Sequence, residues 1–88
     1  MQKRKFSIVN RLGLHARAAA QLVKTASRFV CEVTLHKEDM EVNGKSIMGI
    51  LLLAAPQGTD IYVTTAGADE EQAMEQIAEL IENGFGED

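Results

Sequence analysis

The sequence predicts an α+β fold of two layers. Three helices cover one face of a four-stranded antiparallel sheet, in the chain order β-α-β-β-α-β-α. Three observations predict it. Apolar and polar residues alternate in four short stretches, the period of a strand with one buried face. In two longer stretches apolar residues recur at helical spacing. Only the turn Lys37-Glu38-Asp39 separates the second and third strands, which forces a hairpin.

The first strand is predicted over residues 3–9, where Phe6 and Ile8 alternate with polar neighbours. Residues 10–14 then read as a loop. From residue 16 to 28 the period becomes helical. Ala19, Leu22, Val23 and Ala26 share one side, and Arg17, Gln21, Lys24 and Arg28 gather opposite them. Cys31, Val33 and Leu35 mark the second strand, and Met40 and Val42 the third. Asn43-Gly44-Lys45 is a turn. Residues 47–55 are apolar throughout and suit a buried strand or a short helix. Ser46 as N-cap, Pro56 as stop and the Leu and Met content favour helix, against Gly49. Ile61 and Val63 mark the fourth strand, over residues 60–64. Asp69-Glu70-Glu71-Gln72 reads as a capping box. Ala73, Met74, Ile77, Leu80 and Ile81 then carry a third helix to the stop at Asn83-Gly84, and a short acidic tail follows. Thr34, His36, Glu41, Tyr62 and Thr64 are left for the solvated sheet face.

Eighty-eight residues fit one domain, 1–88, with one modest core. With no tryptophan and one tyrosine, an aromatic-lined cofactor pocket is not expected, and no cofactor is assigned. A carrier or binding module fits so short a chain better than an enzyme with its own cleft. Cys31 is the sole cysteine, which suits a reducing compartment, and its natural place is the core. Residues 1–5 resemble the start of a signal peptide, but Asn10 and Arg11 interrupt the apolar stretch that should follow. Residues 47–55 are too few to span a bilayer. A cytoplasmic protein with no membrane contact is the expectation.

The net charge of −4 conceals an asymmetry. Residues 1–37 hold eight of the nine basic residues and one acid. Residues 38–88 hold Lys45 and twelve acids. A solvated surface with clustered charges would explain this. A basic face around His15 that attracts phosphate or an acidic partner explains also why the cations line the first helix.

His15 is the candidate functional residue. Gly13 in the loop delivers it to the start of the first helix, where unpaired N–H groups and the positive end of the dipole attract anions. A histidine there is ordinarily a cap or a surface residue. Arg17 changes the balance. A cation in the first turn opposes the dipole, and binding phosphate oxygens with its planar fork would explain its placement. The same positive surroundings favour the neutral, nucleophilic imidazole. The residues therefore predict a histidine that accepts a phosphoryl group, stabilised by Arg17, and passes it on.

Gly13-Leu14-His15-Ala16-Arg17 and Val42-Asn43-Gly44-Lys45-Ser46-Ile47-Met48-Gly49 resemble the two signatures of the HPr family. These are the histidine phosphocarriers of the bacterial phosphoenolpyruvate-dependent phosphotransferase system. The likeness covers essentially the whole chain. It implies an open-faced β-sandwich and a carrier that is not an enzyme. It implies that enzyme I phosphorylates His15 on Nδ1, that a histidine of an enzyme IIA-type protein receives the group, and that Arg17 binds the phosphate. The family usually has proline where this chain has Ala18, which touches transfer rate and partner preference and not the role of His15. Residues 82–88 resemble the nitrogen-related, regulatory branch more than the sugar-transport branch.

Ser46 is expected to cap the second helix. The resemblance makes it also a regulatory serine phosphorylated by an HPr kinase/phosphorylase, and a phosphate is tolerated at a helix start. That helix is apolar on nearly every side. Ile47 and Met48 are therefore candidates for an exposed docking patch, beside Gln21, Lys24 and Arg28 on the first helix. Gly44-Lys45-Ser46 resembles a nucleotide-binding loop, but the glycine needed five positions earlier is Asp39, so nucleotide binding is rejected. His15, His36 and Cys31 lack metal-ligand spacing, so no metal is expected. An acidic total and strands without stacked aromatics argue against nucleic acid. The competing reading is a purely regulatory protein controlled by the state of Ser46. A monomer is expected.

Overall fold

The computed structural model describes residues 1–87; Asp88, the end of the acidic tail, lies outside them. Its elements are β1 (Gln2–Ser7), α1 (Ala16–Ala26), β2 (Glu32–Lys37), β3 (Met40–Asn43), α2 (Ile47–Leu53), β4 (Asp60–Ala66), α3 (Glu70–Glu82) and a 3-10 turn at Gly84–Gly86. The strands form one antiparallel sheet in the order β1-β4-β2-β3. The expected fold class holds.

The alternation along each strand explains the two layers. Phe6, Val33, Leu35, Ile61 and Val63 point into the core, nearly or wholly excluded from solvent. Across the register, Lys3 faces Thr64, Thr64 faces Thr34, and His36 lies between Tyr62 and Glu41. These residues form the open face. Against the inner face pack Ala18, Ala19, Leu22 and Ala26 of α1, Ile50 and Leu53 of α2, and Ala73, Met74, Ile77 and Ile81 of α3. Cys31 is buried there, as expected. Burying such side chains stabilises by about 1.5–3 kcal/mol for each large one.

Several boundaries differ from the expected ones, each for a local reason. β1 ends at Ser7; Ile8 stays buried and is held by the turn at the start of β4, donating its N–H to the Thr59 carbonyl and accepting that of Gly58. α1 ends at Ala26. Ser27, Arg28 and Phe29 follow as a tightening turn, so Arg28 stands just beyond the helix. α2 stops at Leu53, before Pro56 is reached. Ala54 takes a left-handed conformation, and the Lys37 ammonium donates to the carbonyls of Leu53 and Ala54. β4 runs two residues further than expected, because Thr65 and Ala66 still pair with β1 and β2.

The capping box at Asp69 does not form. Asp69 occupies the N-cap of α3 but makes no side-chain cap bond. Its carboxylate instead accepts the N–H groups of Val30 and Cys31, at 2.9 and 3.0 Å. The bond from Val30, foremost, holds this carboxyl below its ordinary pKa. A residue that reads as a local cap is used to tie down the loop before β2.

Ser46 does cap α2: its Oγ accepts the Gly49 N–H at 3.1 Å. Ser46→Ala should therefore lower stability by about 1 kcal/mol. A urea titration should find a lower midpoint with an unchanged slope.

Candidate functional site

The loop before α1 is built to present residue 15. Gly13 has φ +68, in the left-handed region where glycine is free of strain. A Cβ on Gly13 would sit 2.6 Å from the Ala55 carbonyl oxygen and 2.8 Å from the Pro56 Cα. Leu14 donates its N–H to that same Ala55 carbonyl at 2.9 Å. The start of α1 is thus fixed against the end of the α2 segment.

His15 is the N-cap of α1, with extended backbone, and 27% of its side chain is exposed. It is therefore neither walled off nor distant from the first helical turn. Its carbonyl accepts the Ala19 N–H, the first bond of the helix. The N–H groups of Ala16, Arg17 and Ala18 have no main-chain acceptor among the described residues. One of them, that of Arg17, points at His15 Nδ1 at 3.4 Å.

The opposite ring nitrogen, Nε2, lies 2.7 Å from Glu87 Oε1. These two contacts fix the neutral tautomer. The Arg17 amide can only donate, so Nδ1 carries the lone pair. A carboxylate can only accept, so Nε2 carries the proton. Glu87 Oε1 also accepts from Asn10 Nδ2 at 2.8 Å. The same Asn10 amide donates to the Gly13 carbonyl at 2.7 Å, and Asn10 is only 1% exposed. Hydrogen bonding from His15 first, then from Asn10, holds the Glu87 carboxyl below its ordinary pKa.

Asn10 and Glu87 escaped the sequence reading. Asn10 reads as an ordinary loop residue, and Glu87 as part of a short acidic tail. The tail is not solvated throughout. Phe85 is 1% exposed and has φ +58, so the chain reverses there and brings Glu87 back to the start of α1. The only local hint is the pair of glycines flanking Phe85.

The other predicted residues fall as follows. Arg17 and Lys24 are exposed on α1, Gln21 is half-buried beside them, and Arg28 is exposed in the turn that follows. Among the described residues Arg17, Lys24 and Arg28 make no ion pair. Ile47 and Met48 are exposed on α2, at 41% and 69%. Leu12 and Leu52, which the sequence did not single out, are also exposed. His36 lies on the open sheet face, 3.5 Å from Glu41. Among the described residues no cluster could hold a metal ion, and no helix is long and apolar enough to cross a membrane. A hollow at the β2–β3 edge, lined by Glu32, Thr34, Val42 and Lys45, contains none of the residues around His15.

The chain is similar to known proteins along nearly its whole length. The family model described as the PTS HPr component phosphorylation site matches residues 2–83. The phosphocarrier protein HPr of Xylella fastidiosa is 52% identical over 88 residues, covering 100% of this chain and 99% of its own length. That of Neisseria meningitidis serogroup A is 52% identical over 87 residues, covering 99% of this chain and 98% of its own. The crystal structure of HPr-C-His from Thermoanaerobacter tengcongensis matches with a TM-score of 0.96 at 43% identity, covering 100% of this chain and 99% of that one. An HPr dimer from the same organism matches with a TM-score of 0.80 at 44% identity, over 99% of this chain and 100% of that one. A match along nearly the whole length, in sequence and in three dimensions, places this chain in the HPr phosphocarrier family of the phosphotransferase system.

Proposed function

We propose that His15 accepts a phosphoryl group on Nδ1 from phosphorylated enzyme I and passes it to a histidine of an enzyme IIA-type protein. The observation that carries this reading is the disposition of the ring. Nδ1 holds a lone pair and faces the open N–H end of α1, while Nε2 is occupied by Glu87. A phosphoryl group on Nδ1 meets the N–H groups of Ala16, Arg17 and Ala18, which have no main-chain acceptor among the described residues. Ala18 retains an N–H that a proline at this position would lack, so the first turn offers a third donor. The Arg17 guanidinium, exposed and without an ion pair among the described residues, adds a planar fork for the oxygens. The protein supplies alignment and charge compensation, and the chemistry needs little else.

Partners dock on α1 and α2 in this reading. Gln21, Lys24 and Arg28 meet an acidic rim, and Ile47 and Met48, with Leu12 and Leu52, meet an apolar centre. Ser46 stands at the edge of that patch, and its phosphorylation by an HPr kinase/phosphorylase would place negative charge there and weaken an acidic partner's hold. The carrier works as a cytoplasmic monomer.

The test is incubation with phosphoenolpyruvate and enzyme I. The expected product carries an acid-labile, base-stable phosphate, and Ser46→Ala still acquires it. An acid-stable label would overturn the proposal in favour of a hydroxyl ester. Arg17→Ala should slow transfer by about tenfold to a hundredfold, the loss of one charge-assisted contact. Its stability should hold or rise slightly, because a cation leaves the positive end of a helix. Stopped-flow transfer rates and a denaturant titration read the two effects separately.

A further inference from the structure

Glu87 is the described carboxylate that touches the His15 ring, and it is held there. Its Oε1 receives two donors, the Nε2–H of His15 at 2.7 Å and the Nδ2–H of Asn10 at 2.8 Å. Asn10 is buried, and its amide also donates to the carbonyl of Gly13. Both of its partners are acceptors, which fixes which end of the amide points at Glu87. The buried Phe85 anchors the tail that carries Glu87. A chain of three residues, two from the connection before α1 and one from the tail, thus ends on the ring nitrogen opposite the open helix terminus. The arrangement has the logic of a nucleophilic group oriented by a second group that is itself oriented by a third.

We propose that Glu87 is a positioning residue for phosphoryl transfer at His15: held by Asn10, its carboxylate keeps the ring proton on Nε2 and compensates the charge that the ring gains when Nδ1 bonds phosphorus. This rests on the reading of His15 as the phosphoryl acceptor. In the transfer, the Nδ1 lone pair forms the bond to phosphorus while the bond from phosphorus to the donor nitrogen breaks. The donor keeps that electron pair. The ring retains its Nε2 proton and becomes cationic, so no base has to remove a proton. When the group leaves, the electron pair returns to Nδ1 and the ring is neutral again. The carboxylate faces the cation directly across the Nε2–H bond. The phosphoryl oxygens are on the Nδ1 side, with the N–H groups of α1. Besides His15, the charged group that acts on Glu87 is Arg17, of the opposite sign.

Two variants of the full chain separate the two roles. Glu87→Gln keeps an acceptor oxygen and loses the charge. Glu87→Ala loses both. The first readout needs no phosphorylation: ring nitrogen NMR of His15, at a pH about two units above the ordinary histidine value of about 6.5. The parent chain should give the Nε2–H tautomer with a slowly exchanging proton. Glu87→Gln should keep it, and in Glu87→Ala that proton should exchange at least about tenfold faster. The second readout is the rate of transfer from phosphorylated enzyme I, which should fall about tenfold in both variants with the thermal midpoint little changed. A ring proton on Nδ1 in the parent, or transfer rates within about twofold of the parent in either variant, would overturn the role of Glu87. A parent chain that accepts no phosphoryl group at all would overturn the reading of His15 and leave the tautomer measurement standing.

Discussion

His15→Ala is expected to lose phosphoryl transfer from enzyme I altogether, by at least about a thousandfold in rate, because a nucleophile has no substitute once removed. The fold should survive. His15 is partly exposed at a helix end, and its contact with the Arg17 N–H is long, at 3.4 Å. The loss of that weak cap costs about 0.5–2 kcal/mol, and the loss of the 2.7 Å bond to Glu87 about 1–3 kcal/mol more, because Asn10 is then the one donor left to that oxygen. Circular dichroism should therefore resemble the parent, with a lower thermal midpoint, while the acid-labile label vanishes. If label persisted in His15→Ala, the acceptor would be another residue. A purely regulatory protein predicts the reverse outcome: cellular effects unchanged in His15→Ala and reproduced by Ser46→Asp.

Gly13→Ala should produce the largest loss of stability. Two penalties fall on the same atom. An alanine at φ +68 sits in the left-handed region, at a cost of about 1–2 kcal/mol. Its Cβ would press on the Ala55 carbonyl and the Pro56 Cα, which are backbone and cannot swing aside. Overpacking of this kind costs about 1–3 kcal/mol more. A total of about 2–5 kcal/mol should lower the thermal midpoint by about 8–40 °C in a domain of this size. Transfer should fall as well, even where the variant is folded. The Gly13 carbonyl receives both the Asn10 amide and the His15 N–H, and the Leu14 N–H bonds the carbonyl that the new methyl would strike. A folded Gly13→Ala with parental transfer rates would break this link between turn geometry and histidine placement.

Local pattern made much of the fold legible. Strand alternation, helix period and the tight turn after β2 depend on neighbours within a few residues, and so does the cap at Ser46. The motif around His15 was legible for the same reason. Gly13, the histidine and the first turn of α1 are contiguous, and helix-terminus physics acts over one turn. Where local pattern misled, a distant group competed for the same atom. Asp69 carries the pattern of a cap, yet the N–H groups of Val30 and Cys31 take its carboxylate. Lys37 reads as a turn residue and instead closes the end of α2.

By itself the sequence determined the order of the elements, the sheet's buried and open faces, and the placing of a histidine at a helix start. These follow from spacing along the chain. Only the tertiary structure decided which ring nitrogen carries the proton. That choice depends on Glu87, which lies 72 residues from His15 and reaches it because Phe85 is buried and the chain reverses there. A hydrogen bond acts over about 3 Å in space with no regard to separation along the chain, so no local pattern could have written it.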